Sequence, residues 1–570
     1  MNNTNQLQKI IADSFNRLSD FKVNESQVIF SVTKNKKFGD VTTNFAMKFF
    51  KQQTTFDNLH KFASFLVDEI SLSNLIQSAS VEGPGFINCF LKQNVVLDQL
   101  KSLENNLAKL KTVHQQDQVV VEYSSPNIAK PFTVGHLRST IIGDAIANIL
   151  DENGYQVFRD NHLGDWGTQF GKQIYAIKTW GDESEIDKAE RPVKLLVELY
   201  VKFHQEAENN PNIEEEGRKW FKKLEEGDVE ARRLWKKCID WSWKEFDKIY
   251  HRLGINFTEN QGRGYGESFF EDKMKTVIDQ LSQKNLLTDS RGAKLVFFPN
   301  DKYPPLMIIK NDGATLYATR DLATDNFRRQ HYGEKIQIIN EVGAEQELYF
   351  KQLFEVEKML GWFSDEQRIH IKHGLYRFKD KKMSTRKGNV IWLEDVLHEA
   401  FERVSKISGD RISAENNWKI AMGSLKWNDL KRRPELNVVF DWQEITRVDG
   451  DSGPYVMYTY TRCASVLKKA TLSFDDLNPT AIDEDERTLI NKLGQFPETI
   501  KRAAVSLSPS QICTYLLELS QIFNKFYTNN QIINAKTEEQ KKLRLFITQK
   551  TAYVIKNGLK ILGIEAVQQM

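Results

Sequence analysis

The chain has few of the features that mark membrane proteins, disulfide-rich secreted proteins or zinc proteins. Its 570 residues include only four cysteines, which are scattered and form no Cys-x-x-Cys pair. That spacing argues against both a disulfide framework and a structural zinc site. No run of about 18 apolar residues predicts a membrane span, and the start of the chain makes a poor signal or transit peptide. We therefore expect a large soluble intracellular protein with no membrane partner.

Net charge is also nearly absent. The 79 lysines and arginines are almost balanced by 77 aspartates and glutamates, which leaves a formal charge of +2. Any polyanion must then be bound by local basic patches and not by a global field. The hydrophobic fraction of 40% is typical of globular proteins, and the length predicts three or four domains.

The most informative stretch runs from 119 to 154. It begins as a short apolar, β-branched run, which predicts a buried strand, and continues into a loop whose two prolines end that strand. From Val134 the apolar residues recur at helical spacing as far as Asn153-Gly154, which predicts the helix end. A strand, a polar loop and a helix in this order predict the first unit of a nucleotide-binding α/β domain. Its ligand would lie beyond the strand's carboxyl end, at the helix N-terminus.

Three residues of the loop suit a nucleotide. Gly135 has no side chain, so adenine or ribose could approach the backbone closely. His136 can donate to phosphate oxygens as pyrophosphate leaves, and Lys130 adds a point charge at the same edge. Taken alone, the tripeptide Val134-Gly135-His136 favours a plain loop whose histidine makes a local hydrogen bond, because short motifs occur by chance.

A second basic stretch lies at 381–389, with four cations and a glycine. Such a density of positive charge suits a triphosphate that loses pyrophosphate. The alternative is a solvated basic surface loop, which the stretch by itself would favour.

A predicted helix through Asp325 places Tyr317 and Asp321 at i and i+4, on one face. A phenol beside a carboxylate can hold a guanidinium, with the ring against its plane and the acid accepting its forked donors. The alternative is an ordinary surface pair.

The first stretch closely resembles the signature region of the arginyl-tRNA synthetases, a class I aminoacyl-tRNA synthetase family. Ser-Pro-Asn-x-Ala-Lys-Pro precedes the signature here and Leu-Arg-Ser-Thr follows it, at 125–140. Thr133 stands where the family has the first histidine of His-x-Gly-His, and Thr385 where the Lys-Met-Ser-Lys loop has its last lysine. Lys130 occupies the place of a lysine thought to compensate for the latter change. We hypothesise that the Thr133 hydroxyl caps the helix or contacts a phosphate.

The resemblance spans essentially the whole chain and implies a multidomain α/β plus all-α fold. The expected parts are a small α+β N-terminal domain at 1–112 that binds the tRNA D-arm, a Rossmann-like parallel-sheet catalytic domain at 113–395 with a helical insertion near 181–254, a helical stem at 396–440, and a helical-bundle anticodon-binding domain at 441–570.

The family's activity is that of an arginine–tRNA ligase. L-Arginine is activated with ATP to arginyl-adenylate and is then transferred to the 3′-terminal adenosine of tRNA(Arg), and the first step typically needs bound tRNA. ATP is thus a substrate accompanied by Mg²⁺, and we expect no resident metal or organic cofactor. We also expect a monomer in the cytoplasm. The alternatives are a non-catalytic tRNA-binding paralogue, which has no need of an arginine pocket, and a small adenylyltransferase, which does not explain the helical C-terminal part.

The resemblance carries site roles onto matching positions. The catalytic positions are Lys130, Thr133, Gly135, His136, Lys382, Ser384, Arg386 and Lys387. ATP would contact Gly135, His136, Met383 and Ser384. Arginine would contact Glu122, Ser125, Asn127, Glu267, Tyr317, Asp321 and Gln346, beside Tyr349, where many relatives carry histidine. The tRNA would contact Phe86 and Asn88 through its D-loop and Tyr455, Tyr458, Arg462, Tyr527 and Met570 near its anticodon. For these aromatic residues the alternative is ordinary packing.

Overall fold

The computed structural model describes residues 3–33, 36–311, 313, 315–378, 391–470, 477 and 479–570. The predicted catalytic and ATP-binding residues of the second basic stretch lie outside these ranges. They are Lys382, Met383, Ser384, Arg386 and Lys387. Among the described helices, none combines the length and the hydrophobicity that a bilayer crossing requires.

The N-terminal part is an antiparallel sheet covered by helices. In spatial order the strands are Ser31–Val32, Val41–Thr43, Phe86–Leu91 and Ile76–Glu82. The helices are Asn3–Leu18, Phe45–Phe49 and Leu59–Ser71, and Gln93–Lys101 and Leu103–Leu110 follow the sheet. Phe15 packs edge-on against Phe45 and Phe62 at the centre of the helical layer. This is the α+β arrangement predicted for this part of the chain.

The central part is built on a four-stranded parallel sheet. Its strands, in spatial order, are Arg368–His373, Gln337–Gly343, Gln118–Glu122 and Gln156–Asp160. Val119 and Val121 pack into the core that includes the helix Val134–Glu152, whereas Val120 packs into the core that includes the helix Tyr317–Tyr332. A strand that is buried on both faces needs a continuous apolar run, which explains the sequence pattern.

Both of those helices begin at the carboxyl edge of the sheet. The helix Val134–Glu152 leaves the end of the strand Gln118–Glu122 and leads back to the start of Gln156–Asp160, and the helix Tyr317–Tyr332 leads to the start of Gln337–Gly343. The two helix N-termini therefore flank the same edge from opposite faces, the usual ligand position in open parallel sheets.

Helices and a small sheet are inserted between these elements. The helices are Thr168–Trp180, Glu183–Lys188, Pro192–Asn209, Asn212–Glu225, Val229–Leu253 and Met274–Gln283. The small sheet is antiparallel and consists of Leu287–Ser290, Ala293–Val296 and Leu306–Ile309.

The remainder is almost entirely helical. After Glu347–Leu360 come the parallel strand pair Tyr376–Phe378 and Val438–Phe440 and the helices Leu393–Ser408 and Ala414–Leu430. The C-terminal bundle consists of Trp442–Ile445, Gly453–Lys468, Glu484–Gly494, Phe496–Ser506, Ser510–Asn529 and Glu538–Ile561. The Rossmann-like sheet, the α+β N-terminal part and the helical C-terminal part confirm the predicted fold class.

Candidate active site

His136 lies in the first turn of the helix Val134–Glu152, where the structure pairs it with Thr133. Thr133 is the N-cap residue, and its backbone N–H donates to Nδ1 of His136 at 3.0 Å. The Thr133 hydroxyl lies 3.1 Å from the same nitrogen. Because Nδ1 accepts the backbone N–H, we assign the ring proton to Nε2, which leaves a donor for a ligand. Burial lowers the pKa of His136 to about 4, so the ring is neutral near pH 7.

Gly135 and Lys130 lie at the same edge. Gly135 is exposed, and an added Cβ would meet only the Thr133 hydroxyl, at 3.4 Å. Lys130 is half-buried in the loop that joins the strand to the helix. The N-terminus of the helix is therefore open to a ligand, flanked by a cation and by a neutral histidine donor.

Asp321 faces a second histidine across the edge of the sheet. It lies one turn into the helix Tyr317–Tyr332, and its Oδ1 is 3.7 Å from Nε2 of His162. The Tyr349 hydroxyl donates to the other carboxylate oxygen. Burial raises the pKa of Asp321 to about 6, although His162 and the Tyr349 hydroxyl oppose that shift.

The neighbouring acids Glu122 and Glu267 differ from Asp321 because each accepts a hydrogen bond from an arginine. Arg328 donates to Glu122 at 2.6 Å, and Arg320 donates to Glu267 at 3.2 Å. Among the described residues, no lysine or arginine forms a salt bridge with Asp321. The Asp321 carboxylate therefore retains capacity for an incoming cation.

His162 lies between these acids. Its Nδ1 donates to the carbonyl of Tyr265 at 3.1 Å. Burial would lower the pKa of His162, but the carboxylates of Glu122, Asp321 and Glu267 outweigh burial and hold that pKa above its ordinary value. Burial also raises the pKa of Glu267 to about 6, against the opposing charges of His162 and Arg320.

The backbone at Ser124 and Ser125 is strained. Their φ angles are 73° and 46°, in the left-handed region that side chains disfavour, at a cost of about 1 kcal/mol each. The N–H of Ser124 donates to the hydroxyl of Ser139, and that of Ser125 to Oδ1 of Asn161, both at 3.0 Å. The Ser125 hydroxyl is buried, and it has no hydrogen-bond partner among the described residues. A buried hydroxyl without a partner is unfavourable and points to a ligand.

Asn127 lies against the glycine-rich segment 161–171. It pairs with Gly164 in an isolated parallel bridge, and a Cβ at Gly164 would lie 2.2 Å from Oδ1 of Asn127. Only glycine allows this close approach. Since Asn161 and His162 precede Gly164, this segment connects the Ser125 backbone to the neighbourhood of Asp321.

Two predicted arginine contacts lie on the exposed side of the pocket. Tyr317 is 58% exposed at the start of its helix, and its ring packs edge-on against Tyr349 at 4.9 Å. Gln346 is exposed at the start of the helix Glu347–Leu360. The structure thus brings Glu122, Glu267 and Asp321 together around His162, with Tyr317 at the rim.

Of the two predicted D-loop contacts in the N-terminal part, one residue is exposed and the other is buried. Phe86 is 40% exposed at the start of its strand, which excludes ordinary core packing. Asn88 is 3% exposed and lies between Thr42 and Ser80 in the sheet. Residues two apart in a strand face the same side, so Asn88 shares the face of Phe86, opposite the apolar face of Ile87, Cys89 and Leu91. A base contact of Asn88 stays a prediction.

The predicted anticodon contacts in the C-terminal part include two exposed tyrosines grouped around an arginine. The Arg462 guanidinium lies 4.9 Å from the Tyr458 ring and 4.7 Å from the Tyr527 ring. Both tyrosines are at least 40% exposed, and Tyr455 is half-buried. Met570 and Tyr458 line an apolar cavity of about 290 Å³ beside the helix Leu393–Ser408. An arginine that holds two exposed rings presents them for stacking.

Sequence reasoning did not find His162 or Arg328. His162 stands in the segment 161–171, whose three glycines suit close approach of the backbone to a ligand but do not identify which side chain faces it. Arg328 is 1% exposed and joins Glu122 to Asp160 and Asp325. Within the part of the chain that the structure describes, no group of three or more histidine, cysteine or acidic side chains is arranged to hold a metal ion.

Three family models match successive parts of the chain, and all three describe aminoacyl-tRNA synthetase domains. The family model described as tRNA synthetases class I (R), catalytic domain, matches residues 99–442. The arginyl-tRNA synthetase N-terminal domain matches residues 5–91, and the DALR anticodon binding domain matches residues 456–570.

Individual relatives and solved structures carry the same name. The arginine–tRNA ligase of Clostridium acetobutylicum is 38% identical over 580 residues, covering 99% of this chain and all of that one. That of Clostridium perfringens is 44% identical over 466 residues, covering 79% of this chain and 80% of that one. The crystal structure of arginyl-tRNA synthetase from Plasmodium falciparum matches with a TM-score of 0.81 at 25% identity, covering 100% of this chain and 99% of that one. The Thermus thermophilus enzyme matches in fold, with a TM-score of 0.79 at 23% identity over 99% of both chains. The chain therefore belongs to the arginyl-tRNA synthetases of class I and is an enzyme that uses ATP to attach L-arginine to tRNA.

Proposed function

We propose that the guanidinium of L-arginine binds to Asp321, with Glu267 beside it and the Tyr317 ring against its plane. The observation that carries this assignment is the absence of a lysine or arginine partner for Asp321 among the described residues, while its acidic neighbours have one. A buried carboxylate that lacks a strong cation gains most from a forked guanidinium donor. Lysine offers one compact charge and citrulline offers none, so both should be rejected.

The α-amino and carboxylate groups of arginine then lie toward Ser125 and Asn127. The unpartnered Ser125 hydroxyl supports this orientation, since a substrate oxygen or nitrogen would satisfy it. Glu122 is held by Arg328 and contributes negative charge near the α-amino group. Gln346 is exposed at the same edge and closes the pocket from the side of its helix.

ATP binds at the N-terminus of the helix Val134–Glu152. Gly135 admits the adenosine, and Nε2 of the neutral His136 donates to a phosphate oxygen, with Lys130 nearby. The second basic stretch supplies Lys382, Arg386 and Lys387 as cations and Met383 and Ser384 as further ATP contacts. Mg²⁺ enters with ATP as part of the substrate, and we propose no resident metal or organic cofactor.

The chemistry follows from positioning and charge neutralisation. The arginine carboxylate attacks the α-phosphorus of ATP, and the bond to pyrophosphate breaks, which gives arginyl-adenylate. A hydroxyl of the terminal adenosine of tRNA(Arg) then attacks the arginyl carbonyl, and AMP leaves. No covalent enzyme intermediate is needed.

The tRNA contacts extend to both ends of the chain. Phe86 offers a stacking surface to unpaired D-loop bases. The group of Tyr455, Tyr458, Arg462, Tyr527 and Met570 offers stacking surfaces and an apolar cavity to the anticodon. We propose that the enzyme acts as a monomer in the cytoplasm, with domain boundaries at 112, 395 and 440 and the helical insertion near 181–254.

A charging assay tests the assignment. Purified enzyme should attach radiolabelled arginine to tRNA(Arg) in an ATP-dependent reaction and should attach neither lysine nor citrulline. Arginine-dependent charging that survives in the Asp321→Asn variant with an unchanged KM for arginine would show that the guanidinium binds elsewhere.

A further inference from the structure

Arg138 lies on the same helix as His136, two residues further on, and is 1% exposed. Its Nε and Nη2 donate to the Asp429 carboxylate at 3.0 and 3.1 Å. Its Nη1 donates to the carbonyls of Gly374 and Leu436 at 2.7 and 2.9 Å, and Nη2 also donates to that of Pro434 at 3.2 Å. All five donors of the guanidinium are therefore used. Because a buried ion pair adds little stability over apolar packing, this arrangement points to a geometric role.

The partners of Arg138 hold one flank of the second basic stretch. The Tyr376 hydroxyl donates to Oδ2 of Asp429 at 2.6 Å, and the Tyr376 ring lies 5.6 Å from the Arg138 guanidinium. Tyr376 begins the strand Tyr376–Phe378, which pairs with Val438–Phe440. That strand ends at the residue before 379–390, the range that contains the predicted ATP cations.

The other flank is tied to the loop that precedes His136. Thr133 and Trp392 form an antiparallel bridge. The N–H of Val134 donates to the carbonyl of Ile391 at 3.1 Å, and that of Leu393 to the carbonyl of Phe132 at 2.8 Å. Both flanks of the second basic stretch are thus fixed to the segment that carries His136, one through backbone pairs and one through Arg138.

We propose that Arg138, together with Asp429 and Tyr376, is a positioning unit for adenylate formation. It fixes the strand Tyr376–Phe378, which precedes the second basic stretch, relative to the helix that carries His136. The inference rests on the proposed role of that stretch in ATP activation. It concerns the step in which pyrophosphate leaves, because transfer of arginine to tRNA moves no pyrophosphate.

Tyr376→Phe isolates this role from general stability. It keeps the ring and removes one hydrogen bond to Asp429. Tyr515→Phe is the matched control, since the Tyr515 hydroxyl also makes one interior hydrogen bond, to the carbonyl of Lys492 at 2.8 Å in the C-terminal bundle. Melting temperatures of the two variants show whether the structural cost is equal.

The measurements separate the two steps of the reaction. Tyr376→Phe should lower kcat for arginine- and tRNA-dependent ATP–pyrophosphate exchange roughly tenfold, since small misplacements of reacting groups have effects of that order or larger. The KM for arginine, and the single-turnover transfer from preformed arginyl-adenylate to tRNA, should stay at wild-type values. Tyr515→Phe should leave both steps unchanged. Wild-type exchange by Tyr376→Phe, or an equal loss in both steps, would overturn the proposal.

Arg138→Lys provides a second, stronger variant. It keeps the charge but loses the fork that contacts Asp429 and the three carbonyls, so exchange should fall further than in Tyr376→Phe. Lys382→Ala and Lys387→Ala separate the proposed role of the second basic stretch from the positioning role of Arg138. If these variants exchange pyrophosphate normally, the proposed role of the second basic stretch fails. If they lose exchange while Tyr376→Phe and Arg138→Lys do not, only the positioning role fails.

Discussion

Nε2 of His162 lies 3.7 Å from Oδ1 of Asp321, although the two residues come from different elements of the catalytic part. His162 follows the strand Gln156–Asp160, and Asp321 lies on the helix Tyr317–Tyr332. In this position the imidazole partly balances a cluster of acids in the enzyme without substrate. A guanidinium at the proposed site would itself supply positive charge to these acids, so we expect arginine binding to be linked to the protonation of His162 and Asp321.

Asp321→Asn tests the guanidinium site. Loss of one partner of a buried charged pair costs about 3 kcal/mol, so kcat/KM for arginine should fall roughly a hundredfold. Steady-state charging at varied arginine concentration measures the change. Asp365→Asn is the control, because Asp365 is an exposed carboxylate that pairs with Lys358. Equal effects in the two variants would contradict the assignment.

The KM for arginine should rise as pH falls below about 6. Burial raises the pKa of Asp321 and of Glu267 to about 6 each. At lower pH these carboxyl groups are neutral and His162 is positively charged, and both changes oppose binding of a cation. Each proton that arginine displaces adds about a tenfold increase in KM per pH unit. Charging kinetics between pH 5 and 8 measure this, and a flat profile would exclude it.

His162→Gln should change that profile in a defined direction. Without the imidazole charge, the pKa of Asp321 should rise further, since His162 opposes the effect of burial. The increase in KM should therefore begin at higher pH than in the wild type. Calorimetry of arginine binding in two buffers with different ionisation enthalpies counts the protons released. An unchanged count and an unchanged profile would show that His162 does not take part.

Thr133→Ala tests the N-cap. Loss of an N-cap side chain costs about 1 kcal/mol of helix stability, and the His136 ring loses a neighbour at 3.1 Å. We expect slower ATP–pyrophosphate exchange in this variant, whereas Thr133→Ser should keep the wild-type rate because serine caps equally well. Thr133→His shows whether the usual family residue acts differently. If Thr133→Ala and Thr133→His both catalyse ATP–pyrophosphate exchange at the wild-type rate, the role proposed for Thr133 is wrong.

Phe86→Ala should weaken tRNA binding and leave adenylate formation unchanged at saturating tRNA. Stacking of one base on an aromatic ring contributes about 1.4 kcal/mol, so KM for tRNA should rise roughly tenfold at unchanged kcat. Phe297→Ala is the control, since Phe297 is similarly exposed in the central part of the chain. A tRNA KM that changes equally in both variants would argue against a D-loop contact.

Arg487→Met tests the contact between the two ends of the chain. Nε of Arg487 donates to the 4%-exposed Asp40 at 2.6 Å. Removal of the cation leaves a buried carboxylate, which should lower the free energy of unfolding by about 2 kcal/mol. Lys61→Met removes one partner of an exposed pair, Lys61–Asp57, and should leave the urea midpoint close to the wild-type value. Urea denaturation of both variants measures the difference, and equal midpoints would contradict the prediction.

Much of the catalytic part was predictable from local sequence. The run 119–121 has the continuous apolar character of a strand buried on both faces, and the spacing after Val134 fixes a helix that the structure contains. Tyr317 and Asp321 also fall on one helix as predicted. These features depend on neighbours within a few residues, and periodicity records such relations directly.

Other features depended on residues far apart in the chain. Asn88 shares a strand face with the exposed Phe86, yet it is 3% exposed, because it lies between two neighbouring strands that are distant in the sequence. Arg138 gave no local sign that it would contact Asp429 and Gly374. Periodicity contains no information about which distant carboxylate or carbonyl a buried guanidinium meets.

The sequence by itself determined the family, the order of the parts and the strand–loop–helix unit that presents His136, because long motifs and local spacing are properties of contiguous residues. Only the tertiary structure decided that Asp321 has no arginine partner within the described part of the chain, while Glu122 and Glu267 each have one. It alone also decided that Arg138, on the helix of His136, contacts the residues that precede the second basic stretch. Ion pairing and burial depend on which elements the fold brings within a few ångströms, and that proximity exists only after the chain has folded.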